Sequence, residues 1–361
     1  MVMSFFIYLF NALTVAFFVQ FASKNKNKII RFLSLGIAIL VPSLIAGLRD
    51  VEVGTDSITY AENFWLLQYG ESTRERWNEF EPGYSFLNNI IANLGFSYSV
   101  LFFAMQFLTM LFFVKAVWNE RDNIIVWLTS FTYMLLYFQT SLNMVRQALS
   151  ITICIFAITL LLKNKKMQFL VWVLVASLFH FSALICLSLF ILKYFFEKRE
   201  KLSLLILIGA SMLISNRDLL GNIVYVITGS GYFAGYITRD AEDFGSMSVY
   251  ILRCGAYIVF PLFIFHKMNF CKKYKFYLYT VILGFIIGSL GRMTMTQVQR
   301  VGYYFSYLLI LLIPLSISYM RRGNKAVAKI AFCLLLLFAW YYDFFYKGFN
   351  DTVPYKTTFS Q

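Results

Sequence analysis

About a dozen apolar segments of 14 to 21 residues, separated by polar connections, leave this chain little choice of solvent. They fall near residues 3–22, 31–48, 97–117, 124–139, 142–162, 167–180, 182–196, 202–216, 247–266, 276–291, 301–320 and 330–346. A hydrocarbon core of roughly 30 Å is matched by about 20 residues of helix. A backbone without water must satisfy its own polar groups, which such segments do by becoming helical. The expectation is an all-α polytopic membrane protein of about 12 transmembrane helices, one integral membrane domain over residues 1–361. A chain 60% hydrophobic and only 14% charged, with a mean hydropathy of +0.67, excludes a soluble globular domain.

Lysine and arginine are sorted across those segments. Of 32 basic residues, 21 fall in six alternate connections: 24–31, 115–121, 163–166, 193–201, 267–275 and 321–329. Sixteen of the 21 are lysine, and only four acidic residues accompany them, a surplus of 17 positive charges. By the positive-inside rule this side is cytoplasmic. The opposite side carries 11 basic and 14 acidic residues, and nine of its 11 cations are arginine. The net charge of +14 is therefore a topology signal facing anionic lipid, and no nucleic-acid partner is expected. The first span has no basic leader and is followed by Lys24, Lys26 and Lys28, so both termini are expected outside. The five cysteines lie in or beside apolar spans with no Cys-x-x-Cys pair, and read as small hydrophobes.

Both flanks of 167–196 are lysine-rich, so this stretch must return to the side it left. It reads as a shallow helix hairpin with His180 at its tip, in the outer half of the membrane. Residues 49–96 form the longest outer loop, with interfacial helices expected over 57–68 and 84–96, where Phe86, Leu87, Ile90, Ile91 and Leu94 share a face. Residues 215–246 form a second outer loop, a possible flap.

The outer arginines run against the charge rule and require a reason. Arg49, Arg146, Arg292 and Arg300 all stand at outer ends of helices, as does His180. Charge at that depth is costly unless it faces a polar cavity or an anion. A guanidinium grips phosphate with two parallel donors, and a lipid pyrophosphate presents its headgroup at this level. Asp56 reads equally as the N-cap of the helix after Gly54, with Thr59 and Glu62 as a capping box, and as a catalytic carboxylate. Glu81 reads equally as a turn residue and a catalytic group. Asp50 with Glu52, and Asp240 with Asp243, are the nearest approach to paired metal ligands. They read as solvated loop charges, so no metal and no cofactor is expected.

The blocks Arg49…Gly54-Thr55-Asp56…Tyr60, Glu81-Pro-Gly-Tyr84, Asn143…Arg146-Gln147, His180-Phe-Ser-Ala183, Arg300…Tyr304-Phe305 and Val353-Pro-Tyr355 resemble, in order, the EpsG family of Wzy-type polysaccharide polymerases. Ser57 stands where threonine is more usual in that family. The resemblance implies a GT-C-like glycosyltransferase of the bacterial inner membrane, acting on its outer side in O-antigen, capsule or exopolysaccharide biosynthesis. It would move a growing glycan from one undecaprenyl pyrophosphate onto a lipid-linked repeat unit, with a chain-length regulator as a possible partner.

On that reading Arg49, Arg146, Arg292 and Arg300 hold the donor pyrophosphate and stabilise charge growing on the leaving group. Asp56 is the first choice of base and Glu81 the second. His180 either orients a lipid or serves as base itself. Gly54, Tyr60, Asn143, Gln147 and Tyr304 support them. Three other readings compete. A ligase making a single glycan transfer would use the same arginines. A lipid-linked oligosaccharide flippase would need charge through the whole membrane depth. An acyltransferase centred on His180 would leave the arginines without purpose.

Overall fold

The computed structural model describes residues 1–70, 80–199, 201–203, 205, 206, 209, 247–268, 271–294 and 296–359. Among these the chain is helical and has no strand, apart from one antiparallel bridge between Arg49 and Thr357. The segment 215–246 lies outside the described residues.

Among the described residues six helices are long and apolar enough to cross a membrane: Val2–Lys24, Lys28–Leu48, Tyr98–Glu120, Val145–Leu162, Gln297–Ser318 and Arg322–Tyr346. At 1.5 Å per residue each reaches about 27 Å or more, close to the hydrocarbon thickness. These are the features of a polytopic membrane protein. In chain order the helices are α1 (Val2–Lys24), α2 (Lys28–Leu48), α3 (Ser57–Gln68), α4 (Pro82–Asn93), α5 (Tyr98–Glu120), α6 (Val126–Leu136), α7 (Phe138–Asn143), α8 (Val145–Leu162), α9 (Lys166–Ser177), α10 (Ser188–Lys198), α11 (Met247–Met268), α12 (Lys272–Thr294), α13 (Thr296–Ser306), α14 (Leu309–Ser318) and α15 (Arg322–Trp340).

Several expected spans take a different form. The segment expected as one helix over 124–139 ends at Leu136, and the six-residue α7 follows before the backbone breaks at Met144 (φ −90°, ψ 57°). Gln139, Thr140, Ser141 and Asn143 crowd this break, all buried. Their side chains compete with helix continuation, and irregular backbone at this depth is tolerated where protein covers it. The arms expected over 167–180 and 182–196 appear as α9, a 3₁₀ turn over Phe181–Leu187, and α10. Of the span expected over 202–216, residues 202, 203, 205, 206 and 209 are helical and the rest lie outside the described residues.

The chain divides into two compact units, Met1–Leu184 with Arg321–Gln361, and Ile185–Met320. In the first, α5 packs on α2 and α8, and Phe113 stacks on Tyr133 at 4.1 Å. Residues 49–96 carry the two expected short helices, α3 and α4. Phe86, Ile90 and Leu94 are exposed at four-residue spacing on α4, while Tyr84, Asn88 and Ile91 are buried, as suits a helix lying at an apolar boundary. Beyond α15 a π-helical turn, Tyr341–Tyr346, leads into a strap over 348–358 that returns across residues 48–55.

In the second unit α12 and α13 approach until their backbones touch. A Cβ on Gly284 would stand 2.3 Å from Ser306 N, and one on Gly302 would stand 2.9 Å from Gly288 N. Small residues at such contacts let helix pairs gain dispersion where the solvent offers no hydrophobic drive.

Candidate active site

Glu81 collects the site. It occupies the N-cap position of α4 with extended backbone (φ −63°, ψ 143°), but its side chain makes no capping bond. The carboxylate turns inward instead. Oε2 accepts a charge-assisted hydrogen bond from Arg146 Nη1, and Oε1 accepts from Phe181 N at 3.2 Å and lies 2.7 Å from His180 Nδ1. The Glu81 side chain is 6% exposed, while Arg146 and His180 retain 20% and 30%. Burial opposes ionisation of Glu81. The His180 hydrogen bond, the Arg146 charge and the backbone together outweigh it, and the carboxyl titrates below its usual range. An ionised carboxylate only accepts, so His180 Nδ1 must be the donor, and in the neutral ring Nε2 is then an acceptor.

Local sequence explains this convergence. The break before Val145 puts Arg146 in the first turn of α8, at an end of the helix and out of its apolar middle. Gly83 lets α4 dock on the C-terminal end of α9: its N–H donates to Leu178 O at 2.8 Å, and an added Cβ would stand 2.8 Å from that oxygen. Three rings surround the Arg146 guanidinium, Phe80 at 4.8 Å, Tyr84 at 5.5 Å and Tyr60 at 5.7 Å. Cation–π attraction of this kind contributes about 0.5–2 kcal/mol per ring according to solvation.

Arg49 is placed differently. It caps the C-terminal end of α2, is 1% exposed, and lies 4.3 Å over the Phe102 ring with Nη2 donating to Ser57 Oγ at 3.2 Å. No carboxylate of the described residues lies within 4 Å of it, and its Nε has no hydrogen-bond partner. Burial pushes its guanidinium down to about 10, against the opposing pull of Tyr8, Tyr355 and Tyr60. The side chain thus reaches neither open solvent nor Glu81.

Asp56 stands at the N-cap of α3 in helical conformation without a side-chain capping bond, and the helix starts too early for Thr59 and Glu62 to form the expected box. It is half-buried. Its backbone N–H donates to Asn143 Oδ1 at 2.6 Å, and Thr55 Oγ1 donates to the same oxygen at 2.9 Å. Gly54 adopts φ +105°, and a Cβ there would meet Ser57 Oγ at 2.7 Å, so this turn needs glycine. Gln147 is buried beside Arg146 in α8.

Arg292, Arg300 and Tyr304 belong to the second unit. A Cβ on Gly291 would stand 2.1 Å from Gln299 N, so Arg292 and Arg300 leave adjacent points of the α12–α13 contact. Both are half-buried, and Tyr304 is fully buried. Among the described residues no three of His, Cys, Asp or Glu come together as a metal site would require. Asp50 Oδ1 accepts from Glu52 N, and Glu52 pairs with Lys356, while Asp240 and Asp243 lie outside the described residues.

Phe80, Gly83 and the strap residues Asn350 and Thr352 were not singled out by sequence. Gly83 lay within a quoted motif but read as a turn former. Asn350 and Asp351 follow Gly348 and precede Pro354, a turn signature that marks an ordered tail.

Helices of spanning length and an acid that joins an arginine to a histidine define a polytopic membrane protein with a built polar site. Residues 32–357 match the model of the EpsG family, and the chain belongs to that family, a family of Wzy-like polymerases. Comparison with curated proteins and with solved structures gave no match.

Proposed function

We propose that this chain is a GT-C-like glycosyltransferase that polymerises oligosaccharide repeat units carried on undecaprenyl pyrophosphate, on the outer side of a bacterial inner membrane. About twelve spans with both termini outside belong to the same reading. The observation that carries it is the Glu81 carboxylate, which gathers Arg146 and His180 from distant parts of the chain. In the reaction an acceptor hydroxyl oxygen bonds to the anomeric carbon of the donor glycan. The bond from that carbon to the pyrophosphate breaks, and the lipid diphosphate leaves with the electron pair.

The hydroxyl proton passes to His180 Nε2, the nitrogen left as acceptor while Nδ1–H is held by Glu81. This favours His180 over Asp56 and Glu81 as base, because Glu81 already accepts three donors and is a weakened proton acceptor. Arg146 faces the leaving diphosphate and stabilises its growing charge. Arg146 and Glu81 cancel formally, so Arg49, buried with no carboxylate of the described residues within 4 Å, supplies the positive field of this unit through a low-dielectric interior. Arg292 and Arg300 form a further pyrophosphate-binding pair in the second unit.

The decisive experiment is the glycan profile of cells lacking this chain. A single repeat unit on the lipid carrier, with no longer species, supports polymerisation. An unchanged ladder with loss only of the final transfer would make the chain a ligase.

A further inference from the structure

Residues 348–358 make contacts that a solvated tail would not. Thr352 O accepts from Tyr8 of α1 at 2.7 Å, and Thr352 Oγ1 accepts from Gln139 of α7 at 3.0 Å. Tyr355 N donates to Ser4 Oγ at 2.9 Å, and its hydroxyl donates to Ile45 O of α2 at 2.8 Å. The strap also receives the outer loop: Asp50 N donates to Lys356 O, Gly54 N to Asp351 O and Thr55 N to Asn350 O, at 3.0–3.2 Å. Asn350 itself takes the left-handed conformation (φ 65°) that asparagine tolerates better than most residues.

We infer that Asn350 is a positioning residue, which sets the start of α3 through Asn143 and thereby places Tyr60 against Arg146. Asn143 Nδ2 donates to Asn350 Oδ1 at 3.2 Å, and Asn350 Nδ2 donates to Thr140 Oγ1 at 3.5 Å. Asn143 is 1% exposed, and its Oδ1 takes both the Asp56 N–H and the Thr55 hydroxyl. An amide has one accepting and one donating end. Because Asn350 offers an acceptor, the donating end of Asn143 faces the strap and the accepting end faces α3. Without Asn350 that orientation loses its fastening, and the reversed amide would set two N–H groups against each other at Asp56. One turn beyond Asp56, Tyr60 stands 5.7 Å over the Arg146 guanidinium and in edge contact with Tyr84 at 5.9 Å.

The consequence for turnover rests on the polymerase reading, whereas the consequence for structure does not, and the test has an arm for each. Asn350→Gly removes the amide while keeping the backbone conformation free, and Asn350→Asp keeps the acceptor. Hydrogen exchange of the full-length purified protein should show the Asp56 amide exchanging about fivefold faster or more in Asn350→Gly. In Asn350→Asp it should stay near wild type. Turnover of a lipid-linked repeat should fall about tenfold in Asn350→Gly, recover in Asn350→Asp, and fall no further when Asn350→Gly is added to Asn143→Ala. Unchanged exchange at Asp56 overturns the inference whatever the activity. Faster exchange with wild-type turnover, or multiplicative losses in the double variant, overturns the link to the site. A wild-type protein that extends no glycan refutes the polymerase reading alone, and the exchange arm still decides the fastening.

Discussion

His180 Nδ1 lies 2.7 Å from Glu81 Oε1 across 99 residues of sequence, and this pairing decides that Nδ1 carries a proton. Glu81 holds the imidazole in one tautomer, as an acid beside a histidine must when it accepts and does not donate. Replacing His180 by Gln should preserve folding, since an amide can still donate to Glu81, but should lower turnover by about 10²-fold or more, the range of a lost acid–base group. Turnover within a few-fold of wild type would return the role of base to Asp56.

Glu81→Gln removes the charge and keeps the shape. The variant leaves Arg146 with a neutral partner and its Nε still unsatisfied. A hydrogen bond to a charged group contributes about 1.5–3 kcal/mol, and the 20% exposure of Arg146 puts the loss at the lower end. Differential scanning fluorimetry in detergent should therefore show a lower melting temperature. A value equal to wild type would mean the pair contributes nothing to folding.

The same pair predicts an acid limit. Glu81 titrates lower in the folded protein than in an unfolded chain, so its contribution is fully present above the ordinary glutamate value of about 4.3. It is lost as pH falls through the lower folded value. The melting temperature should drop more steeply below about pH 4 in wild type than in Glu81→Gln. Parallel curves would remove Glu81 from the acid transition.

Gly83→Ala tests the docking of α4 on the C-terminal end of α9. The new methyl would lie 2.8 Å from Leu178 O and 2.9 Å from Leu178 Cβ, contacts that force a backbone shift. Overpacking of this kind costs about 1–3 kcal/mol, and the shift moves Glu81 away from His180. Gly36→Ala is the control, because nothing lies within 4 Å of its added Cβ and alanine suits a helix better. Turnover should fall in the first and hold in the second.

What sequence could show follows from what is local. Apolar runs made the spanning helices legible, and the spacing of Phe86, Leu87, Ile90, Ile91 and Leu94 made α4 legible, although Ile91 turns inward while Phe86, Ile90 and Leu94 are exposed. The break at Met144 was not, because its cause is a set of polar partners that arrive from residues 340–352. The same holds at the site. Residue type and depth picked out Arg49, Arg146, Glu81 and His180, yet nothing local distinguished the arginine that pairs with Glu81 from the one buried over Phe102. Asp56 was legible as a helix start, but the group that meets its backbone is Asn143, 87 residues away.

Arg49→Met separates a cation kept for folding from one kept for an anion. The guanidinium is buried with no carboxylate of the described residues within 4 Å, and burial, only partly offset by Tyr8, Tyr355 and Tyr60, lowers its proton affinity to about 10, which is a cost to the folded state. Its contact with Phe102 and the dipole at the end of α2 return about 0.5–2 kcal/mol each at most. These opposing effects are similar in size, and methionine retains most of the side-chain volume. The melting temperature should therefore stay close to wild type, as it often does when a buried charge yields to a hydrophobe. If Arg49 supplies the positive field for a departing diphosphate, turnover of the lipid-linked donor should fall at least tenfold in the same preparation. A variant that melts much earlier, or one that polymerises as well as wild type, would make Arg49 a structural residue and leave Arg146 as the cation of this unit that acts on the leaving group.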